Sequence, residues 1–231
     1  ITGITFLIVV SLIFIFLYDF LTQCGCFRAE RMVITGTQRL SEKEVMEQAQ
    51  TEPGSNILSV NLSKARKLLL AHFWIADAEI KRIFPSELHI KITEHEPLAI
   101  LDLGRKFIIN TNGEIFKEWA ASDPDYLPLV SGLTFSDIAP PGKPSNLPFQ
   151  AVKEILRLGQ QESIIPNRFI KKIEIDTEMG ITLYVTRGPW MTSEEPDRLR
   201  TIKLGYHNYP AKYDQLEHIF FYLKENQEIM D

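Results

Sequence analysis

The chain has 231 residues, 45% hydrophobic and 24% charged, which are the proportions of a folded protein and exclude a disordered one. Its 30 acidic and 25 basic residues give a net charge of −5, which excludes a general nucleic-acid footprint, since that would be basic. The length leaves room for one or two ordinary domains beyond any anchor.

In chain order, residues 1–21 (ITGITFLIVVSLIFIFLYDFL) come first, with Asp19 as the one ionisable side chain that carries a carboxylate or amine. A helix needs roughly 20 apolar residues to cross a bilayer, because lipid satisfies none of its backbone polar groups. The run has that length and predicts a transmembrane anchor. A cleaved signal peptide is the rival reading, but its apolar core is only about 7–15 residues followed by small residues. Here the run ends in Tyr18-Asp19-Phe20-Leu21. The chain begins at Ile1 with the apolar run already under way, so residues upstream are expected. Residues 22–27 read as a juxtamembrane linker. Its Cys24-Gly25-Cys26 string is read as small linker residues in preference to a redox or lipidation site.

A β-rich run, Arg31 to Gly36, leads to Ser41 with Glu44 three residues on. That spacing is a capping box, and Leu40 with Val45 supplies a hydrophobic staple, so a helix is predicted from here to about Gln50. Pro53-Gly54 breaks it. A second helix starts near Asn61, with Leu62, Ala65, Leu68 and Leu69 on one face. Trp74 to Phe84 reads as a strand stopped by Pro85-Ser86. Next, Leu88, Ile90 and Ile92 alternate with His89, Lys91 and Thr93, the period of a strand with one buried face. The order β-α-α-β-β over residues 28–97 predicts a three-stranded sheet with two helices on one side.

Residues 98–231 read as a second, mostly β domain with flanking helices, so the fold class is α+β. Leu98 to Leu103 and Arg105 to Asn110 are strand candidates, and Asn112-Gly113 is a turn that leads into Glu114-Ile115-Phe116. Pro124 to Pro148 reads as a long loop around a short strand, Leu127 to Val130. Pro148 opens a helix with Phe149, Val152, Ile155 and Leu156 on one face. Ile170 to Asp176, Ile181 to Val185 and Arg198 to Leu204 read as strands. Pro210 opens a last helix with Tyr213, Leu216, Ile219, Phe220 and Leu223 facing inward.

The 28–97 unit resembles a POTRA domain. The residues that carry the likeness are Val33-Ile34-Thr35-Gly36, Leu40-Ser41, Gly54 to Leu58, the string Phe73 to Leu88 (FWIADAEIKRIFPSEL), and Ile90 to Ala99 (IKITEHEPLA). With one apolar N-terminal run and a β-rich second region, the chain resembles the FtsQ/DivIB family of bacterial cell-division proteins. The resemblance implies a non-enzymatic bitopic scaffold of the divisome, without a cofactor. Its N-terminus would be cytoplasmic, its bulk periplasmic or extracytoplasmic, and its place the inner membrane at the septum. The POTRA domain would serve recruitment. The β-domain would bind FtsB/FtsL-type coiled-coil partners by strand addition to a sheet edge, and through them the septal peptidoglycan synthase. Self-association is also open. The family continues past its last helix into a further strand. This sequence stops at Asp231, so a truncation before that strand, or else a shorter end, is expected. Two rival readings are a POTRA-containing envelope assembly factor and a membrane-anchored cell-envelope hydrolase.

Candidate partner-binding residues are Lys171, Lys172, Arg200, Thr201, Ile202 and Lys203, with Arg198 beside them, as basic and strand-edge positions. Tyr206 and Tyr209 are candidate anchors, and Tyr213 fits an anchor or the core equally well. No catalytic, cofactor or metal set is assigned. Glu94 and Glu96 read as a solvated strand end, Asp123 and Asp125 as loop carboxylates. His72, His89, His95, His207 and His218 lack metal spacing.

Overall fold

The computed structural model describes residues 2–23, 27–138, 146–161, 165–176, 178–186 and 199–227. Cys24, Cys26, Arg198 and the apolar 229–231 stretch lie outside them, as do the side chains of Asp19 and Leu223. The chain divides into two compact units, Ile1–His95 and Glu96–Asp231.

The first unit opens with helix α1, Thr2–Gln23. Apart from half-buried Val10, its described apolar side chains stand exposed, Phe14 at 68% and Phe16 at 75%. Among the described residues no helix is long and apolar enough to cross a membrane. In α1 the described side chains are those of residues 3–16 and 20, which stops short of the roughly 20 that a span requires.

Then come β1 (Arg31–Thr35), α2 (Glu42–Ala49), α3 (Leu62–Leu70), β2 (Ile75–Ile83) and β3 (Glu87–Glu94). The sheet order is β1-β3-β2, with β1 parallel and β2 antiparallel to β3. The capping box forms as its sequence dictates. Ser41 N–H donates to the Glu44 carboxylate at 2.8 Å, and Glu44 N–H donates to Ser41 Oγ at 3.3 Å. Asn61 caps α3 by accepting Lys64 N–H at 3.0 Å. The period-2 alternation of β3 buries Leu88, Ile90 and Ile92 against Val45 and Ala49 of α2 and Ala65 and Leu69 of α3. Full burial of such a side chain is worth about 1.5–3 kcal/mol. Gly36 is the hinge between β1 and α2. At φ +85° a Cβ would lie 2.0 Å from the Ile92 carbonyl oxygen, so only glycine fits.

The second unit carries β4 (Pro97–Asp102), β5 (Lys106–Asn110), β6 (Ile115–Glu118), β7 (Leu129–Ser131), α4 (Leu147–Gln160), β8 (Ile170–Asp176), β9 (Gly180–Val185), β10 (Arg200–Gly205) and α5 (Tyr209–Gln227). Its seven described strands form one sheet, β10-β9-β8-β7-β4-β5-β6. The short β7 is parallel to both β4 and β8 and joins two antiparallel meanders into one sheet. Leu127, expected to open this strand, instead lies in the preceding loop, where it is buried. Of the loop read over 124–148, residues 139–145 are outside the description.

Phe149, Val152, Ile155 and Leu156 of α4 pack on Ile170, Ile173, Ile181, Leu183 and Val185, with Tyr213 and Phe220 of α5 in the same core. The α+β reading with a POTRA unit and a β-rich C-terminal region therefore holds. The face of α5 needs correction. Tyr213 and Phe220 are buried, but Ile219 is 51% exposed. Position 219 lies six residues, or about 240° of helix rotation, past 213, whereas Phe220 completes two turns.

Candidate partner-binding edge

β10 is an outermost strand of its sheet. It pairs antiparallel with β9, and among the described residues no strand lies on its other side. Its register is Arg200 opposite Val185, Thr201 opposite Tyr184, Ile202 opposite Leu183 and Lys203 opposite Thr182, with a bulge between Lys203 and Gly205. Alternation turns Thr201 and Lys203 outward, both exposed, while Ile202 is half-buried against the core and Leu204 is buried. Gly180 makes the sharp start of β9 possible: a Cβ there would meet the Gly205 backbone at 2.4 Å.

The outward face continues inward from the edge in two cross-strand rows. One is Thr201, Tyr184, Lys172 and the other is Lys203, Thr182, Glu174. Tyr184 Oη donates to Glu174 Oε2 at 2.6 Å, Lys172 Nζ donates to Glu174 Oε1 at 2.8 Å, and Lys172 lies 5.4 Å from the Tyr184 ring centroid. The hydrogen bond from Lys172, then that from Tyr184, holds the Glu174 carboxyl below its ordinary range, and the Glu174 bond raises the Tyr184 phenol. This trio stiffens the surface beside the edge. Lys171 stands at the bulge between Ile170 and Lys172, exposed but outside both rows.

The structure thus brings Arg200, Thr201, Ile202, Lys203 and Lys172 onto one edge and its adjoining face. Tyr206 follows the strand, half-buried, its hydroxyl donating to the Asp176 carbonyl at 2.7 Å. Tyr209 is a correction: it is 3% exposed in the core, because it opens α5 directly above the sheet, and burial raises its phenol pKa. Tyr213 is likewise core, its phenol pushed up by desolvation. Sequence reading missed Lys212. Its ammonium donates to the Leu204 carbonyl at 2.5 Å and the Tyr206 carbonyl at 3.1 Å, which ties the end of β10 to α5. One turn into a helix, this lysine carries no signal of its own.

The carboxylates have structural work. Glu94 is no solvated strand end. It accepts the backbone N–H groups of Gln38, Arg39 and Leu40 at 3.0–3.2 Å, and so shapes the β1–α2 turn. Asp123, 5% exposed as a side chain, pairs with Lys117 and accepts Ala120 N–H at 2.8 Å. Among the described residues no group of three or more His, Cys, Asp or Glu is placed to hold a metal ion.

A family profile described as "POTRA domain, FtsQ-type" matches residues 27–95. The cell division protein FtsQ of Syntrophotalea carbinolica is 24% identical over 205 residues, covering 89% of this chain and 69% of that protein. Its counterpart in Geotalea daltonii is 22% identical over 215 residues, covering 93% of this chain and 74% of the relative. That of Anaeromyxobacter sp. (strain K) is 26% identical over 162 residues, 70% of this chain and 55% of the relative. The POTRA match and the relatives aligned across both units lead to one conclusion: residues 27–95 are an FtsQ-type POTRA domain, and the chain as a whole is similar to FtsQ cell-division proteins.

Proposed function

We propose that the chain is a non-enzymatic scaffold of the divisome that binds its partners by strand addition at β10. In this reading α1 crosses the inner membrane, with the N-terminus cytoplasmic and both folded units outside. The POTRA unit serves recruitment to the septum, and the β10 edge receives an extended segment of an FtsB/FtsL-type partner. The single observation that carries the reading is the outermost place of β10, since an edge strand presents unpaired N–H and C=O groups as a template for another chain. Exposed Lys203 favours a partner segment with carboxylates, which adds specificity and on-rate more than affinity, whereas Lys172 is already paired with Glu174. The length of α1 supports the span: its 22 residues make a helix of about 33 Å against a hydrocarbon core of about 30 Å.

The test uses the full chain in detergent or nanodiscs and the purified coiled-coil partner. N–H groups of successive strand residues point to opposite sides, so of Thr201→Pro and Ile202→Pro one removes an N–H from the open edge, and that variant is expected to weaken binding about tenfold or more. Thermal unfolding of that variant should stay close to that of the parent, while the other, which loses a bond to β9, is less stable. Unchanged affinity in both variants would overturn strand addition at β10.

A further inference from the structure

Phe27, Ile83 and Phe84 gather at one end of the POTRA unit. Phe84 is 63% exposed and Ile83 43%, large apolar side chains at the tip where β2 turns into β3. The Phe27 ring meets Phe84 edge-on, with centroids 6.3 Å apart and planes at 89°. This is the end at which the chain arrives from α1, and the arriving segment is held at once. The Phe27 carbonyl accepts Ile57 N–H at 2.9 Å, and Ala29 N–H donates to the Ser55 carbonyl at 2.9 Å. Glu30 N–H donates to the Ser86 carbonyl at 2.9 Å, which fastens the lead-in to the β2–β3 turn itself.

There is therefore no slack beyond Phe27. Four peptide steps separate it from Gln23, the last residue of α1, a reach of at most about 14 Å. With α1 across the bilayer, Phe84 is confined close to a headgroup layer about 5–7 Å deep. We propose that Ile83 and Phe84 dock into that interfacial layer, so that the POTRA unit rests on the membrane by its β2–β3 turn. The inference depends on α1 being a span.

The charges nearby identify the kind of contact. Exposed Arg28 and Arg31 are offset by Glu30, Glu52 and Glu87, and Arg31 pairs with Glu87 at 3.3 Å. Arg82 is turned inward, donating to the Ile57 and Val60 carbonyls at 2.6 and 2.5 Å. No cationic excess is left to seek anionic lipid, so apolar insertion governs the contact. Phe73, equally exposed at 64%, lies at the opposite end of β2, about 30 Å away by strand rise. It is the internal control.

The test uses the full chain with Cys24→Ser and Cys26→Ser, reconstituted in phosphatidylcholine vesicles with and without phosphatidylglycerol. Single cysteines at Phe14→Cys, Phe73→Cys, Phe84→Cys and Ser86→Cys carry an environment-sensitive fluorophore, and Ser86→Cys keeps Phe84 in place. Expected are a blue shift and quenching by shallow spin-labelled lipid at 84 and 86, neither at 73, and the same loss of signal in both vesicle types. Deep quenching at 14 together with water-like signals at 84 and 86 would overturn the docking and leave the span standing. A water-like signal at 14 would sink the span and the docking with it. Quenching at 84 only in anionic vesicles would overturn the apolar mode.

Discussion

At the scale of single residues, Glu94 decides more than its place in an acidic run suggests. Its carboxylate collects three successive backbone N–H groups, a concave anion cradle of the kind that short loops form around phosphate. Glu94→Ala leaves those donors to water. The expected loss of POTRA stability is about 1–3 kcal/mol, read from the urea midpoint at constant slope. Nothing local in the sequence marks the role, because the bonds span more than 50 positions. Glu44 is the opposite case, legible from spacing alone. The Ser41 backbone hydrogen bond lowers its pKa from 4.5. A depressed folded pKa means that the contribution is present above the unfolded pKa and is lost as pH falls through the folded one. Glu44→Gln is therefore expected to be less stable than the parent at neutral pH and to close the gap below pH ~4. Thermal melts of the two across that range check it.

Elements were legible where a pattern is local and ambiguous where it is not. The caps of α2 and α3, the alternation of β3 and the apolar face of α4 depend on spacing within one segment, so they survive folding unchanged. β10 shows what spacing leaves out. Its residues read as a strand, but nothing in them says whether it has a neighbour on one side or two. Lys212 holds the strand end in place. Lys212→Met is expected to cost about 0.5–1.5 kcal/mol and to speed amide exchange at the end of β10 more than in β8. The same change is expected to weaken partner binding if the strand must be ordered to receive it. Tyr209 reads as a surface anchor from sequence because tyrosine suits an interface and a core equally. Only the seat of α5 on the sheet buries it.

For the whole molecule, two separate cores follow from two contact-dense units. Ile90→Ala, in the POTRA core, is expected to lower stability by about 2–5 kcal/mol and to shift one calorimetric transition. Leu183→Ala in the larger sheet is expected to shift the other. A single transition moving under both changes would argue against independent folding.

By itself, the sequence determined the apolar N-terminal run, the helix caps, the alternating strands, the α+β class and the POTRA phrase, because each rests on short-range periodicity or a contiguous motif. The tertiary structure decided the rest. It placed β7 between β4 and β8 and left β10 outermost. It buried Tyr209, exposed Ile219, and set Glu94 beneath the β1–α2 turn. These depend on contacts between residues far apart in the chain, which strand period and helix spacing do not encode, and the proposed partner edge depends on just such contacts.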